Sequence, residues 1–158
     1  MKIGIASDHS GVDLKEYLIK WLTKRDCEVF DLGCYSKDSV DYPVYGNIVG
    51  QSITQGEFDY GIIICGTGIG ISIAANRYPS VRAALCYDLT TARLSREHND
   101  ANVLALGARQ TAPELAREIV SVFLSTEFDG NRHQSRVSML SVEPDRLEEY
   151  KSNILKTD

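Results

Sequence analysis

Gly61-Ile62-Ile63-Ile64-Cys65-Gly66-Thr67-Gly68-Ile69-Gly70-Ile71-Ser72 is the stretch on which the reading of the fold turns. A short, β-branched, uncharged run reads as a strand buried on both faces, and the glycines directly after it read as a tight turn. Ile71 to Arg77, stopped by Pro79, reads as a short helix. The turn thus stands where a strand hands over to a helix N-terminus. There the backbone N–H groups of Gly66, Thr67, Gly68 and Gly70 are free to face an anion, with the positive end of the helix dipole behind them. Cys65 and Thr67 add a thiol and a hydroxyl at the mouth of this cradle. A thiol facing a helix N-terminus is favoured as the thiolate, which suits a base or a nucleophile. The plainer reading of Cys65 is a small apolar residue ending a buried strand. Two nucleotide motifs fail here: Ile71 stands where G-x-G-x-x-G needs its last glycine, and no Gly-Lys-Ser/Thr follows for a P-loop.

The 158 residues, 43% of them hydrophobic, suffice for one well-buried domain and are too few for two ordinary ones. No apolar run approaches the roughly 18 residues of a membrane span, and no signal-peptide pattern precedes the first strand, so a cytoplasmic protein with no membrane partner is expected. Cysteines 27, 34, 65 and 86 lack C-x-x-C spacing, which predicts free thiols and no zinc site. A net charge of -5 argues against a nucleic-acid partner, because phosphate-backbone affinity needs lysine and arginine in excess. A few grouped arginines could still hold a small phosphate.

Lys2 to Ser7 reads as a first strand, and Ser10-Gly11-Val12-Asp13 has the form of a capping box. The helix after it places Leu14, Tyr17, Leu18, Trp21 and Leu22 on one face. Cys27 to Leu32 reads as a second strand, and a helix is expected over residues 44–56. Val81 to Cys86 reads as a fourth strand, Asp88 as the cap of a helix to Glu97, and Val103 to Gly107 as a fifth strand. Thr111-Ala112-Pro113-Glu114 again has the form of a capping box, with proline in the first turn. Arg132 to Val142 follows a turn, and a last amphipathic helix carries Leu147, Tyr150 and Ile154 on one stripe. Strands alternating with helices over short connections predict a doubly wound α/β/α sandwich with a five-stranded parallel sheet. Ligands of such sheets bind beyond the carboxyl ends of the strands, so Ser7-Asp8-His9, Cys65-Gly66-Thr67 and Gly107-Ala108-Arg109 should share one rim.

Asp8-His9 reads plainly as a helix-capping pair, and His98-Asn99 as an ordinary helix C-terminus. Arg132 and Arg136, four apart with His133 between them, read either as a solvated face or as two guanidiniums converging on a phosphate.

Four motifs occur in one order: Ser-Asp-His at 7–9, Cys-Gly-Thr-Gly-Ile-Gly-Ile-Ser-Ile-Ala-Ala-Asn-Arg at 65–77, Arg-Glu-His-Asn-Asp-Ala-Asn-Val-Leu at 96–104 and Gly-Asn-Arg-His-Gln-Ser-Arg at 130–136. Together they resemble the ribose-5-phosphate isomerase B family, whose relatives include galactose-6-phosphate and allose-6-phosphate isomerases. The resemblance runs from the first strand to about residue 142. It implies an isomerase domain over 1–142, with 143–158 as a C-terminal helical extension of the same domain.

The resemblance implies an aldose–ketose isomerase acting on a sugar phosphate without cofactor or metal. Cys65 would move the proton between C1 and C2, while Thr67 and the backbone of Gly66, Gly68, Ile69 and Gly70 would hold the enediolate oxygens. His98 would open the furanose ring as an acid, helped by Asp8. Asn99 and Arg109 would line the substrate, and His9, Arg132 and Arg136 would take the phosphate. The galactose-6-phosphate subunits lack either this cysteine or this histidine, so the presence of both favours the pentose enzyme. Asn131 stands where the family usually has glycine, a change expected to matter little.

The residues agree with that chemistry on their own terms, since proton transfer beside a carbonyl needs a base and donors aimed at an oxyanion. No cluster of His, Cys and carboxylate at metal spacing is evident in the sequence. A helix running back from the fourth strand should leave His98-Asn99 at the opposite edge of the sheet from Cys65. If both act on one substrate, a second subunit must supply His98. A homodimer, or a dimer of dimers, with intersubunit sites is then expected. The alternatives are a hexose 6-phosphate isomerase of the same family, or a sugar-phosphate sensor using the glycine cradle alone.

Overall fold

The Ile62-Ile63-Ile64 run lies at the centre of a five-stranded parallel sheet in a computed structural model that describes residues 1–141 and 144–154. The strands are β1 (Lys2–Ser7), β2 (Glu28–Asp31), β3 (Tyr60–Cys65), β4 (Ala83–Leu85) and β5 (Val103–Gly107), in the order β2-β1-β3-β5-β4. Ile62 pairs with Ile5 on one side and Leu104 on the other, so β3 has neighbours on both edges and helices on both faces. Seven helices are seen among the described residues: α1 (Val12–Leu22), α2 (Tyr42–Thr54), α3 (Ile69–Ala75), α4 (Leu89–Asn99), α5 (Pro113–Ser125), α6 (Arg132–Ser138) and α7 (Pro144–Ile154). This is the doubly wound α/β/α sandwich.

Alternation along the strands divides the core in two. Ile3, Ile5, Ile62, Ile64, Leu104 and Leu106 pack against α1 and α5, whereas Ala6, Ile63, Cys65, Val103 and Ala105 face α2 and α3. Each fully buried isoleucine contributes about 1.5–3 kcal/mol by the transfer of its side chain from water. Among the described residues no helix is long and apolar enough to cross a membrane.

Helix ends differ from the sequence expectation in instructive ways. Asp8, not Ser10, caps the first turn: its carboxylate accepts from the Ser10 amide at 2.9 Å, and a 3₁₀ turn over His9–Gly11 leads into α1. Ala112, not Thr111, precedes α5, whose first turn is set by Pro113, while the Thr111 hydroxyl is buried without a partner. Likewise Pro43 lies inside the first turn of α2 rather than before it, which moves that helix two residues towards the N-terminus of the chain. β4, at one edge of the sheet, keeps only three paired residues. Asp88 does cap α4, accepting from Thr91 N at 2.8 Å, but the helix runs on to Asn99, and Asp100 turns left-handed (φ 45°) to end it. Arg132 and Arg136 are helical, as one face requires; Val142 lies outside the described residues. Asn131 takes φ 47° and ψ −125°, outside the left-handed helical basin, a backbone that glycine adopts without strain, so asparagine in place of glycine carries a backbone cost there.

Candidate active site

β3 delivers Cys65 to the carboxyl rim of the sheet, and the chain turns at once through Gly66, Thr67 and Gly68 into α3. Gly68 has φ 77°, and a Cβ there would meet Leu85 at 2.5 Å and the Leu106 carbonyl carbon at 2.9 Å. Only glycine fits both the backbone and the space. The neighbouring strand yields as well, since a Cβ on Gly107 would stand 2.7 Å from the Thr67 carbonyl oxygen. The tightness of the turn aims its amides: Gly68 N–H donates to Cys65 Sγ at 3.1 Å. The sulfur thus stands as a hydrogen-bond acceptor at the head of the turn. Tyr87 holds the turn from outside, its hydroxyl donating to the Thr67 carbonyl at 2.9 Å.

Three further groups converge on this rim. The Asp8 amide donates to the Ile64 carbonyl at 3.0 Å, so Asp8 continues the line of β1 beside β3. Asp8 is buried, and both described bonds to its carboxylate, from the Ser10 amide and hydroxyl, go to Oδ1. His9 Nδ1 lies 3.2 Å from Val40 N, tying the imidazole to the loop after β2. The Arg109 amide donates to the Gly66 carbonyl at 3.0 Å, and its guanidinium carbon lies 3.3 Å from where a Gly66 Cβ would stand. Asp8, His9, Cys65, Thr67 and Arg109 line one cavity of about 480 Å³, with Gly66, Ile69 and Gly70 in its wall. The cavity is also lined by Tyr42. The sequence reading missed it, because an aromatic just before Pro43 carries no spacing signal; its ring lies 2.5 Å from where a Gly70 Cβ would stand.

The remaining candidates gather at the other end of the molecule. Tyr60 opens β3 and its hydroxyl accepts from Arg96 near the end of α4, so His98 and Asn99 lie near the start of the strand that Cys65 ends. Five residue steps separate those ends of β3, about 16 Å. α6 packs on α4, and the rings of His98 and His133 stack at 4.2 Å, only 8° from parallel. Arg132 Nε donates to His133 Nε2 at 3.3 Å. Neither Arg132 nor Arg136 has a carboxylate partner among the described residues. Burial, then the nearby His98, Arg132 and Arg136, pushes the His133 imidazole below its usual range. Asn99 also borders a second cavity of about 440 Å³, with Arg82 and Leu140. One chain therefore unites His9 with Cys65 and sets Arg132 and Arg136 with His98, so the residues expected around one phosphate are divided between two ends.

The structure also assembles what the sequence did not show, namely His98, Asp129 and His133 with ligand atoms within 4.8 Å of one another. The two rings do not suit one ion, however. Each imidazole lone pair lies in its ring plane, and the planes of stacked parallel rings never meet at a point 2.0–2.1 Å from both nitrogens. All four cysteines are free thiols, and burial pushes the Cys86 thiol up, away from reactivity.

The sequence profile described as Ribose/Galactose Isomerase matches residues 3–140. The chain belongs to this isomerase family. Ribose-5-phosphate isomerase B of Escherichia coli is 46% identical over 140 residues, covering 89% of this chain and 94% of that protein. Among solved structures, ribose-5-phosphate isomerase B of Clostridium thermocellum superposes with a TM-score of 0.88 at 50% identity, over 95% of this chain and 99% of that one. The Thermotoga maritima ribose 5-phosphate isomerase gives 0.85 at 54% identity, over 87% and 94%. The family's profile spans both ends described above, the Cys65 rim and the His98–Arg136 cluster.

Proposed function

We propose that this chain is an aldose–ketose isomerase interconverting D-ribose 5-phosphate and D-ribulose 5-phosphate through an enediolate, with active sites shared between two copies in a homodimer. The observation that carries the chemistry is the Gly68 amide aimed at Cys65 Sγ inside a cavity that also holds Asp8, Thr67 and Arg109. A sensor needs only the backbone donors, whereas a poised sulfur beside them suits proton transfer.

His98 of a second copy gives a proton to the ring oxygen as the C1–O bond breaks, and Asp8 takes the C1 hydroxyl proton, leaving the open aldehyde. The Cys65 thiolate takes the C2 proton, and the electron pair moves onto the carbonyl oxygen. The amides of the 66–70 turn and the Thr67 hydroxyl stabilise that oxyanion. Cys65 returns its proton to C1, regenerating the thiolate, while the O2 proton passes to the neighbouring O1 across the cis-enediolate, which yields the ketose. Asn99 and Arg109 line the sugar, and His9, Arg132 and Arg136 take the phosphate by charge-assisted bonds. The division of these groups between two ends about 16 Å apart is what favours sharing between copies. In this role the enzyme works in the cytoplasm, in the non-oxidative pentose phosphate pathway.

The test is subunit complementation. Cys65→Ala and His98→Ala proteins, each inactive on D-ribose 5-phosphate, are mixed under conditions that exchange subunits. Random pairing makes half the dimers mixed, each with one intact site, so about a quarter of wild-type activity should return. Mixed dimers without activity would refute the shared site. Preference for D-allose 6-phosphate over D-ribose 5-phosphate would move the assignment to a hexose phosphate, whose length the loop tied to His9 through Val40 would have to admit.

A further inference from the structure

The motif from Arg96 to Asn102 contains more than the two residues the proposed reaction uses, and the structure shows where the others go. Asp100 follows His98 and Asn99 directly and ends α4 in a left-handed turn. Its carboxylate is divided between two guanidiniums: Oδ1 accepts from Arg96 Nη1 at 2.9 Å and Oδ2 from Arg82 Nη2 at 2.7 Å. The same two arginines hold the main chain. Arg82 Nε donates to the Asn99 carbonyl at 3.1 Å and the Asp100 carbonyl at 2.8 Å, and Arg96 Nη1 donates to the Ala101 carbonyl at 2.6 Å. Three successive carbonyls and one carboxylate are gripped immediately after His98. Arg96 is itself buried, with its guanidinium against the rings of Tyr60 and Phe123, and so belongs to the core. Arg82 differs: it stands just before the short edge strand β4, is about a quarter exposed, and borders the same cavity as Asn99.

We infer that Arg82, acting through Asp100, is a positioning residue that sets the end of α4 and thereby holds His98 where it can protonate the sugar ring oxygen. A helix C-terminus ordinarily frays, because its last carbonyls lack intrahelical partners. A planar, forked guanidinium can bond two carbonyls and a carboxylate at once, which a single point charge cannot. The inference rests on the proposed role of His98, and the chemistry of the two substrates allows the two ideas to be tested apart. D-ribose 5-phosphate closes into a furanose and must be opened. D-ribulose 5-phosphate cannot form the corresponding ring, because its C5 oxygen carries the phosphate. Removal of its C1 proton by Cys65 therefore requires no ring-opening acid.

The experiment compares two rates in wild type, Arg82→Gln, Arg82→Lys, Asp100→Asn and His98→Asn. One is turnover of D-ribose 5-phosphate, and the other is exchange of the C1 proton of D-ribulose 5-phosphate with deuterated water, followed by NMR. Displacing a catalytic group by about 1 Å can cost up to about 100-fold, so Arg82→Gln should lower ribose 5-phosphate turnover between about tenfold and 100-fold. Exchange from ribulose 5-phosphate should fall by less than about threefold, since Cys65 sits on the far rim. Arg82→Lys, which keeps the charge but not the planar fork, should recover part of the loss. Asp100→Asn tolerates the left-handed backbone and should repeat the pattern more weakly, which keeps the test available if Arg82→Gln folds poorly. Equal loss of both rates in the Arg82 and Asp100 variants, or no loss, overturns the positioning role. If His98→Asn also spares ribose 5-phosphate turnover, the proposed acid is wrong and the inference falls with it.

Discussion

The rim around Cys65 and the edge around His98 are built from opposite materials. At the rim the chemistry is placed by backbone: a turn that glycine alone permits at Gly68, a Gly107 that lets the turn sit on β5, and an amide pointed at sulfur. At the edge it is placed by side chains: stacked imidazoles, an arginine donating to a histidine, and two guanidiniums gripping Asp100. A backbone device tolerates no substitution at its glycines but needs no charge. A side-chain device can be retuned one group at a time, and it responds to pH and salt.

That contrast can be broken at its strongest point by replacing Cys65 with alanine. A positioned base is worth about 10²- to 10⁴-fold, so turnover of D-ribose 5-phosphate should drop by about 10³-fold or more, with melting temperature nearly unchanged. Survival of activity would remove sulfur from the chemistry. Next comes Gly68→Ala, which should cost about 2–5 kcal/mol of stability from the left-handed backbone and the contacts with Leu85 and Leu106, read by denaturant unfolding. A neutral result would show that the turn can relax, and the distinction between backbone and side-chain construction would fail.

Arg132→Ala and Arg136→Ala should each raise KM by about 10- to 100-fold through loss of a charge-assisted bond to phosphate, with kcat reduced less and the effect weakened by salt. The smallest effect concerns His133. Its imidazole is held below the usual value of 6.5 by burial first and by His98, Arg132 and Arg136 next, with Asp129 opposing. The unfolded chain therefore binds more protons as pH falls, and His133 costs the fold stability progressively below about pH 6.5. His133→Gln should flatten that acid limb in thermal melts between pH 7 and pH 5, while an unchanged slope would assign the acid sensitivity elsewhere.

Much of the fold was legible because its signals are local. The Ile62-Ile63-Ile64 run can only be a strand covered on both sides, and the glycines after it can only be a turn. Helix starts were less legible where competing caps stood within two residues: Asp8 displaced Ser10, and Pro113 set the start of α5 while the Thr111 hydroxyl stayed unbonded. The cluster of His98, Asp129 and His133 was hidden because it joins the end of α4 to α6 and the turn before it, about thirty residues further along the sequence. Tyr42 was hidden for a similar reason, since nothing local reveals that its ring covers Gly70.

By itself, the sequence determined the alternation of strands and helices, the glycine turn behind Cys65 and the shared carboxyl rim. Each follows from steric and periodic constraints that act over a few residues. Only the tertiary structure decided that the Gly68 amide meets the sulfur, that His133 stacks on His98, and that Arg82 reaches across from the residue before β4 to hold the end of α4. Those contacts depend on which elements the sheet order and crossovers bring side by side, and no local pattern encodes that order.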